Sequence, residues 1–176
     1  MRKTTAALLA SVAFAVLGCG SAADITADDT GAAPAPAATT AAPQSVKVGQ
    51  ALTVDTGAVQ ATWTVTKVEV KDADQYGGTP QQGKFVLAHL AVKVTKGETY
   101  TCGCDLSIVD AGNKVFQTGY GSFAGRPDYQ VANLAAGQNA DGWVVFDVSE
   151  EAAESGRIQL KIQQLFGESA HGYWTL

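Results

Sequence analysis

Residues 85–95 place an apolar side chain at every second position. Such a two-residue period indicates a β-strand, because successive strand side chains point to opposite faces of the sheet. Phe85 and Leu87 add apolar side chains to the other face, which favours a central strand that is covered on both sides. The alternating residues are Val86, Ala88, Leu90, Val92 and Val94. This segment predicts a β-sheet fold.

Other parts of the chain carry strand, turn and helix signals of their own. Apolar side chains fall on odd positions up to Val65 and on even positions from Val68, which predicts a β-bulge near Thr66-Lys67. The turn residues 110–113 separate two apolar runs and predict a hairpin. Residues 149–156 form the one helix-like stretch, since two glutamates near its start favour a helix N-terminus.

The remaining apolar runs are short and are separated by Gly, Asn and Asp. Residues 46–54 are predicted to form the first strand, and residues 173–176 are predicted to close the domain. Seven or eight short strands of this kind predict an all-β domain over residues 46–176. The predicted fold is an immunoglobulin-like antiparallel β-sandwich, with a small β-barrel as the alternative.

Residues 1–18 have the layout of an export signal. Two basic residues follow Met1, and an apolar run interrupted by Ser11 comes next. The run is shorter than the roughly 20 residues that a membrane helix needs. Val16-Leu17-Gly18-Cys19 resembles the lipobox of bacterial lipoproteins, which implies acylation of Cys19 and cleavage just before it. The alternative is an ordinary secretory signal cut near Ala22 or Ala23.

Residues 19–45 are predicted to be a lipidated cysteine followed by a disordered, semi-extended tether. The stretch is rich in Ala, Thr and Pro and has Ile25 as its one large aliphatic residue. Removing Arg2 and Lys3 with the signal leaves 10 basic and 17 acidic residues, a net charge of −7. That charge argues against nucleic acid as a partner and against electrostatic adhesion to anionic lipid. The predicted membrane contact is therefore the lipid anchor, on the extracytoplasmic face of the cell membrane.

Several short motifs carry a family resemblance. They are Lys47-Val48-Gly49-Gln50, Gly83-Lys84-Phe85-Val86, Asp110-Ala111-Gly112-Asn113-Lys114, and Ala136-Gly137-Gln138 ahead of Gly142-Trp143-Val144-Val145-Phe146-Asp147-Val148. With them the chain resembles small immunoglobulin-like domains of unknown function in exported actinobacterial and firmicute lipoproteins. Ala61-Thr62-Trp63 and the closing Tyr173-Trp174-Thr175-Leu176 are similar to a secreted immunogenic β-sandwich protein of mycobacteria. The resemblance implies an envelope or extracellular sandwich without known enzymatic activity, and it supplies no catalytic residues.

Cys102 and Cys104 are the only cysteines after the lipobox. In an oxidising compartment they either bond to each other or stay free. A local disulfide needs a kinked strand, which Gly103 permits. Two reduced thiols on the core face are a second interpretation. A third is a metal-handling or redox lipoprotein in which His89 or His171 joins the two sulfurs. Because no second Cys or His pair completes a site, neither a metal site nor a cofactor is predicted.

Residues 119–129 form the best candidate for recognition. They combine Tyr, Gly and Ser with one Arg, a composition typical of loops that bind by presenting rigid aromatic side chains. The candidate residues are Tyr120, Phe123, Arg126 and Tyr129. In the alternative interpretation, these aromatics fold back to cover one end of the sandwich. Because the chain has no Gly-x-Ser-x-Gly elbow, the sequence predicts a noncatalytic binding or structural module for a protein, glycan or cell-wall ligand rather than an enzyme.

Overall fold

The computed structural model describes residues 24–27, 44–162 and 170–176. Twelve strands and one α-helix follow one another within these ranges. The strands are β1 (Asp24–Ala27), β2 (Gln44–Lys47), β3 (Ala51–Asp55), β4 (Gln60–Lys71), β5 (Lys84–Lys96), β6 (Glu98–Thr101), β7 (Leu106–Val109), β8 (Val115–Phe116), β9 (Ala132–Ala135), β10 (Asn139–Val148), β11 (Arg157–Ile162) and β12 (Ala170–Thr175), and the helix α1 is Glu150–Ser155.

The strands form two five-stranded sheets and one separate pair. Sheet A has the order β1-β3-β4-β5-β10, sheet B has the order β2-β12-β11-β7-β8, and β6 pairs with β9. Inward side chains from both sheets meet in one core, whose largest buried members include Trp63, Phe146 and Trp174. Each fully buried Val, Leu or Ile contributes roughly 1.5–3 kcal/mol. The predicted all-β sandwich is therefore confirmed, and neither sheet closes into the barrel given as the alternative.

Three local predictions are confirmed. The register of β4 against β5 shifts between Val65 and Lys67, at the place where the apolar side chains change from odd to even positions. Strands β7 and β8 pair as the predicted hairpin. Helix α1 starts after Ser149, whose hydroxyl accepts a hydrogen bond from the backbone N of Ala152 at 3.2 Å. Alternation and turn chemistry were thus sufficient to place these elements.

The strand count and the N-terminal boundary differ from the prediction. Twelve strands stand in the described ranges, not seven or eight, partly because the predicted first strand is divided into β2 and β3 by a turn at Gly49, with φ of 94°. Strand β2 begins at Gln44 and pairs with β12 in parallel, so the sandwich is not wholly antiparallel. The left-handed conformation of Gly49 interrupts the predicted strand between β2 and β3.

The stretch interpreted as a tether contributes strand β1 to the sandwich. Residues 24–27 pair with β3, and the side chain of Ile25 is buried in the core. The structure thus departs from a continuous spacer at these four residues. The predicted signal, Cys19 and residues 28–43 lie outside the described residues. With its six residues α1 is short, and no helix in the described ranges has the length and apolar character of a membrane span.

Candidate recognition surface

The loop of residues 117–131 connects β8 of sheet B to β9 and runs along the edge of sheet A on the way. It is fastened to the edge of β10 at two places, because Gly119 N donates to Val145 O at 2.7 Å and Tyr129 N donates to Trp143 O at 2.8 Å. Trp143 N returns a hydrogen bond to Pro127 O at 2.9 Å. Between these two places, Phe123 and Arg126 contact the outer face of sheet A. The loop is therefore held at both ends by strand-like backbone pairing.

Phe123 covers an apolar patch on the outer face of sheet A. The patch consists of Phe85, Leu87 and Val145, and Phe123 and Trp143 pack against it. The rings of Phe123 and Phe85 meet edge to face, with their centroids 5.5 Å apart. Phe123 is half-buried by this packing. Its observed place agrees with the alternative in which the loop aromatics fold back onto the sandwich.

Arg126 holds the loop down through a charged cluster. Its Nε donates to Glu69 Oε2 at 2.9 Å, and Nη2 donates to the same oxygen. Lys67 Nζ lies 2.8 Å from Glu69 Oε1, and Lys71 Nζ lies 3.3 Å from Oε2. Hydrogen bonds from Lys67 and then Arg126 lower the pKa of Glu69 to about 2. The Arg126 guanidinium also lies 5.5 Å from the ring centroid of Trp143.

Tyr129 belongs to the core rather than to the exposed part of the loop. Its side chain is buried, and its hydroxyl donates to Thr101 Oγ1 at 2.9 Å. Burial raises the pKa of the Tyr129 hydroxyl. The recognition role predicted for this residue is therefore corrected, because a buried side chain has no surface to offer a partner.

Tyr120 and Tyr76 project from two adjoining loops. Their side chains are 96% and 81% exposed. The loops are joined where Gln75 N donates to Ser122 O at 2.9 Å. Asp74 fixes the turn beneath Tyr76, because its Oδ1 accepts from Tyr76 N at 2.9 Å and from Gly78 N at 2.8 Å. These backbone bonds, that of Gly78 first, lower the pKa of Asp74.

Sequence reasoning placed Tyr120 at this surface and missed Tyr76. The signal for Tyr76 was a lone aromatic residue in the hydrophilic stretch between β4 and β5. What the sequence did not contain was the pairing of that stretch with residues of the later loop. We call Tyr76, Tyr120 and the loop segments that carry them the tyrosine surface.

Cys102 caps the short 3₁₀ turn Gly103–Asp105, and Cys104 lies within it. Cys102 and Cys104 are joined as a disulfide, with their Cα atoms 4.9 Å apart. The carboxylate of Asp105 accepts from Cys102 N at 3.0 Å, and burial raises the pKa of Asp105. The turn is thus fixed by a covalent bond and a hydrogen bond within four residues.

The two histidines named as metal ligands lie on different sheets. His89 sits in β5, with its Nδ1 2.7 Å from Thr66 Oγ1 and its Nε2 3.3 Å from Asp141 Oδ2. His171 sits in β12, with its Nδ1 3.1 Å from Gln159 Nε2. The described part of the chain holds no group of three His, Cys, Asp or Glu side chains suited to a metal ion. The metal-handling or redox alternative finds no support here.

One known protein family matches most of this chain. The family model described as "Domain of unknown function (DUF4352)" matches residues 46–171. The chain belongs to the DUF4352 family. This match confirms the resemblance to domains of unknown function, and it brings no catalytic residues to the DUF4352 chain.

Two solved structures are similar to the DUF4352 chain. The secreted protein MPT63 of Mycobacterium tuberculosis aligns with a TM-score of 0.58 and 21% identity, covering 78% of this chain and 100% of MPT63. The candidate lipoprotein YcdA of Bacillus subtilis aligns with a TM-score of 0.51 and 13% identity, covering 65% of this chain and 36% of YcdA. Identities this low support a shared fold. No curated protein matches the chain significantly.

Proposed function

We propose that this protein is an envelope lipoprotein, anchored through Cys19, whose DUF4352 domain is a noncatalytic recognition module for a protein partner. The observation that carries the proposal is the tyrosine surface, in which two almost fully exposed tyrosines stand on loops that are hydrogen-bonded to each other. Tyrosine is enriched at protein interfaces because its ring contributes a large contact area at a low entropy cost. The similarity to a secreted protein and to a candidate lipoprotein favours an extracytoplasmic location.

The fixed loops strengthen the case for recognition. Binding through a mobile loop loses affinity to the ordering of that loop, whereas a preorganised loop avoids this loss. The Asp74 hydrogen bonds, the Gln75–Ser122 bond and the Arg126–Glu69 pair order the loops in the free protein. Phe123 and Arg126 therefore support the tyrosine surface from below, and Tyr76 and Tyr120 supply its contact area.

The anchor is tested by labelling cells with a radioactive fatty acid. The wild-type chain is expected to take up label and sediment with membranes, whereas Cys19→Ala is expected to lose both properties. The matched control is a Cys102→Ser and Cys104→Ser double variant, which is expected to keep the label because its lipobox cysteine is intact. Label that persists in Cys19→Ala would overturn lipid attachment at this residue.

The tyrosine surface is tested by photocrosslinking in the native envelope. A benzophenone amino acid at position 76 or 120 of the full chain is expected to give the same protein adduct, and at the exposed control position Val131 it is expected to give none. Against the partner so identified, Tyr76→Ala and Tyr120→Ala are each expected to weaken binding by about tenfold or more. Unchanged affinity in both variants would exclude this surface.

A further inference from the structure

The outer face of sheet B carries a row of hydrogen-bonded polar side chains. Ser107, Gln159 and Tyr173 lie directly opposite one another on β7, β11 and β12. Ser107 Oγ donates to Gln159 Oε1 at 3.2 Å, and Gln159 Nε2 donates to the Tyr173 hydroxyl oxygen at 2.8 Å. Ser107 and Gln159 are only 6% and 8% exposed. We call Ser107, Gln159, His171 and Tyr173 the polar row.

A groove of about 950 Å³ lies over this part of the sheet. Ser107, Gln159 and His171 line it, together with side chains from three neighbouring segments. Two apolar side chains of its lining are unusually exposed for residues of a folded domain, namely Tyr100, at 58%, and Val115. The groove therefore combines a mostly buried polar base with an exposed aromatic ring.

The hydrogen bonds fix which atoms of the polar row can meet a ligand. Gln159 Nε2 only donates, so His171 Nδ1 accepts from it and the imidazole proton lies on Nε2. Burial, reinforced by the positive charge of Lys161, lowers the pKa of His171, so the ring is neutral at neutral pH. Tyr173 does not line the groove, and its hydroxyl accepts from Gln159 Nε2 and so helps to fix the amide. Ser107 Oγ keeps lone pairs that can accept.

The chemistry of the polar row selects among ligand classes. A purely apolar ligand would leave the Nε2 proton of His171 without a hydrogen-bond partner, which is unfavourable. The acidic and basic side chains in the lining, Asp105 and Lys161, have opposite formal charges, so the groove selects neither anions nor cations strongly. Neutral donors and acceptors close together match the hydroxyls of a sugar, each of which both donates and accepts.

We propose that the groove binds an uncharged oligosaccharide segment, with sugar hydroxyls paired to Ser107 and His171 of the polar row and one sugar face stacked on Tyr100. This site is separate from the tyrosine surface and does not depend on the protein partner proposed for that surface. Because the lipid anchor would hold the chain in the envelope, wall glycans and capsular glucans are both within its reach. They share the hydroxyl chemistry that the groove would recognise.

Saturation-transfer difference NMR on the full chain in detergent tests the proposal. The probes are the tetramer of N-acetylglucosamine, which represents wall glycans, and maltotetraose, which represents glucans. Binding of either is the expected result, and the tighter one identifies the source. A heparin fragment serves as the charged comparison. Lack of binding of both neutral probes at millimolar concentration, or tighter binding of heparin, would overturn the proposal.

Matched variants tie the binding to the groove. Gln159→Leu keeps the approximate volume of the side chain and removes the central amide, so affinity for the neutral probe is expected to fall at least tenfold. Tyr100→Ala is expected to weaken it by about threefold to tenfold. Tyr120→Ala, on the tyrosine surface, is expected to leave it unchanged. Binding that survives Gln159→Leu, with the fold verified by thermal unfolding, would contradict the site.

Discussion

The outer faces of the two sheets differ in the side chains they carry and in what lies over them. The outer face of sheet A has the apolar residues Phe85, Leu87 and Val145, and the chain covers them with its own 117–131 loop. The outer face of sheet B has Ser107 and Gln159 at equivalent outward positions, and a groove lies over them. An apolar outer patch needs cover to escape water, whereas polar side chains that satisfy one another do not. Ser107 and Gln159 are as little exposed as Phe85 and Val145, so the faces differ in what lies over these side chains: a packed loop on sheet A and an open groove on sheet B.

The largest expected change in stability comes from displacing the 117–131 loop from sheet A. A Cβ added at Gly142 would lie 2.5 Å from Tyr129 Cα and 2.7 Å from its backbone N. Gly142→Ala should therefore push the loop off β10 and lower the free energy of unfolding by about 3 kcal/mol. Urea denaturation measures the change. Gly112→Ala, where the nearest atom is Asp110 Oδ1 at 3.3 Å, is the control and should cost far less.

Acidification should weaken the attachment of the same loop to sheet A. The pKa of Glu69 is about 2 in the folded protein, below its ordinary value of 4.5, because Lys67, Arg126 and Lys71 favour the carboxylate. Its contribution to stability is therefore complete above about pH 4.5 and declines as the pH falls toward 2. As the pH is lowered from about 4.5 toward 2, the difference in unfolding free energy between the wild type and Glu69→Gln should shrink. A difference that stays constant would show that Glu69 does not hold the loop by charge.

A smaller effect is expected at the border of the groove, where Cys104 and Asp105 line it. The Cys102–Cys104 disulfide closes a very short loop, so the Cys102→Ser and Cys104→Ser double variant should lose about 1–2 kcal/mol of stability. Thiol titration of the unfolded wild-type chain should find no reactive thiol at these two positions before reduction and two after it. Two reactive thiols before reduction would contradict the bond.

The smallest effect is expected in the polar row itself. Gln159→Leu should change the free energy of unfolding by less than about 1 kcal/mol, because the groove beside its partners has room for water to replace the lost hydrogen bonds. Chemical denaturation beside the Gly142→Ala measurement checks the contrast between the faces. A loss as large as that of Gly142→Ala would mean that the row stabilises the fold rather than serving an accessible face.

The sequence predicted what depends on neighbours along the chain. The change from odd to even apolar positions located the bulge between Val65 and Lys67. The turn chemistry of residues 110–113 located the hairpin, in which Asn113 has a φ of 63° and Asp110 Oδ1 accepts from Lys114 N at 2.8 Å. Each of these features is decided within a few residues, so local patterns were enough to find them.

What depends on distant pairing stayed hidden in the sequence. Arg126 and Glu69 are 57 positions apart, and Ser107 and Gln159 are 52 apart. Their contacts follow from the order of strands in the sheets, which alternation alone does not specify. For the same reason the sequence left open whether the 119–129 loop faces a partner or folds back, and in the structure Phe123 and Arg126 pack onto sheet A. Tyr120 is 96% exposed, and its role in recognition stays a prediction.

The position of strand β1 determines how the N-terminal stretch responds to a pulling force. It is an edge strand of sheet A with four paired positions, whereas β2 enters sheet B twenty residues later along the chain. With an anchor at Cys19, as proposed, a pull on the domain reaches β1 first, so we expect β1 to detach while the sandwich stays folded. Its release would free residues 24–43, which at roughly 3.3–3.6 Å per residue extend on the order of 70 Å. Force spectroscopy should detect the detachment of β1 as an increase in extension at a force below that of global unfolding. The distance between the anchor and the folded domain would then increase under tension.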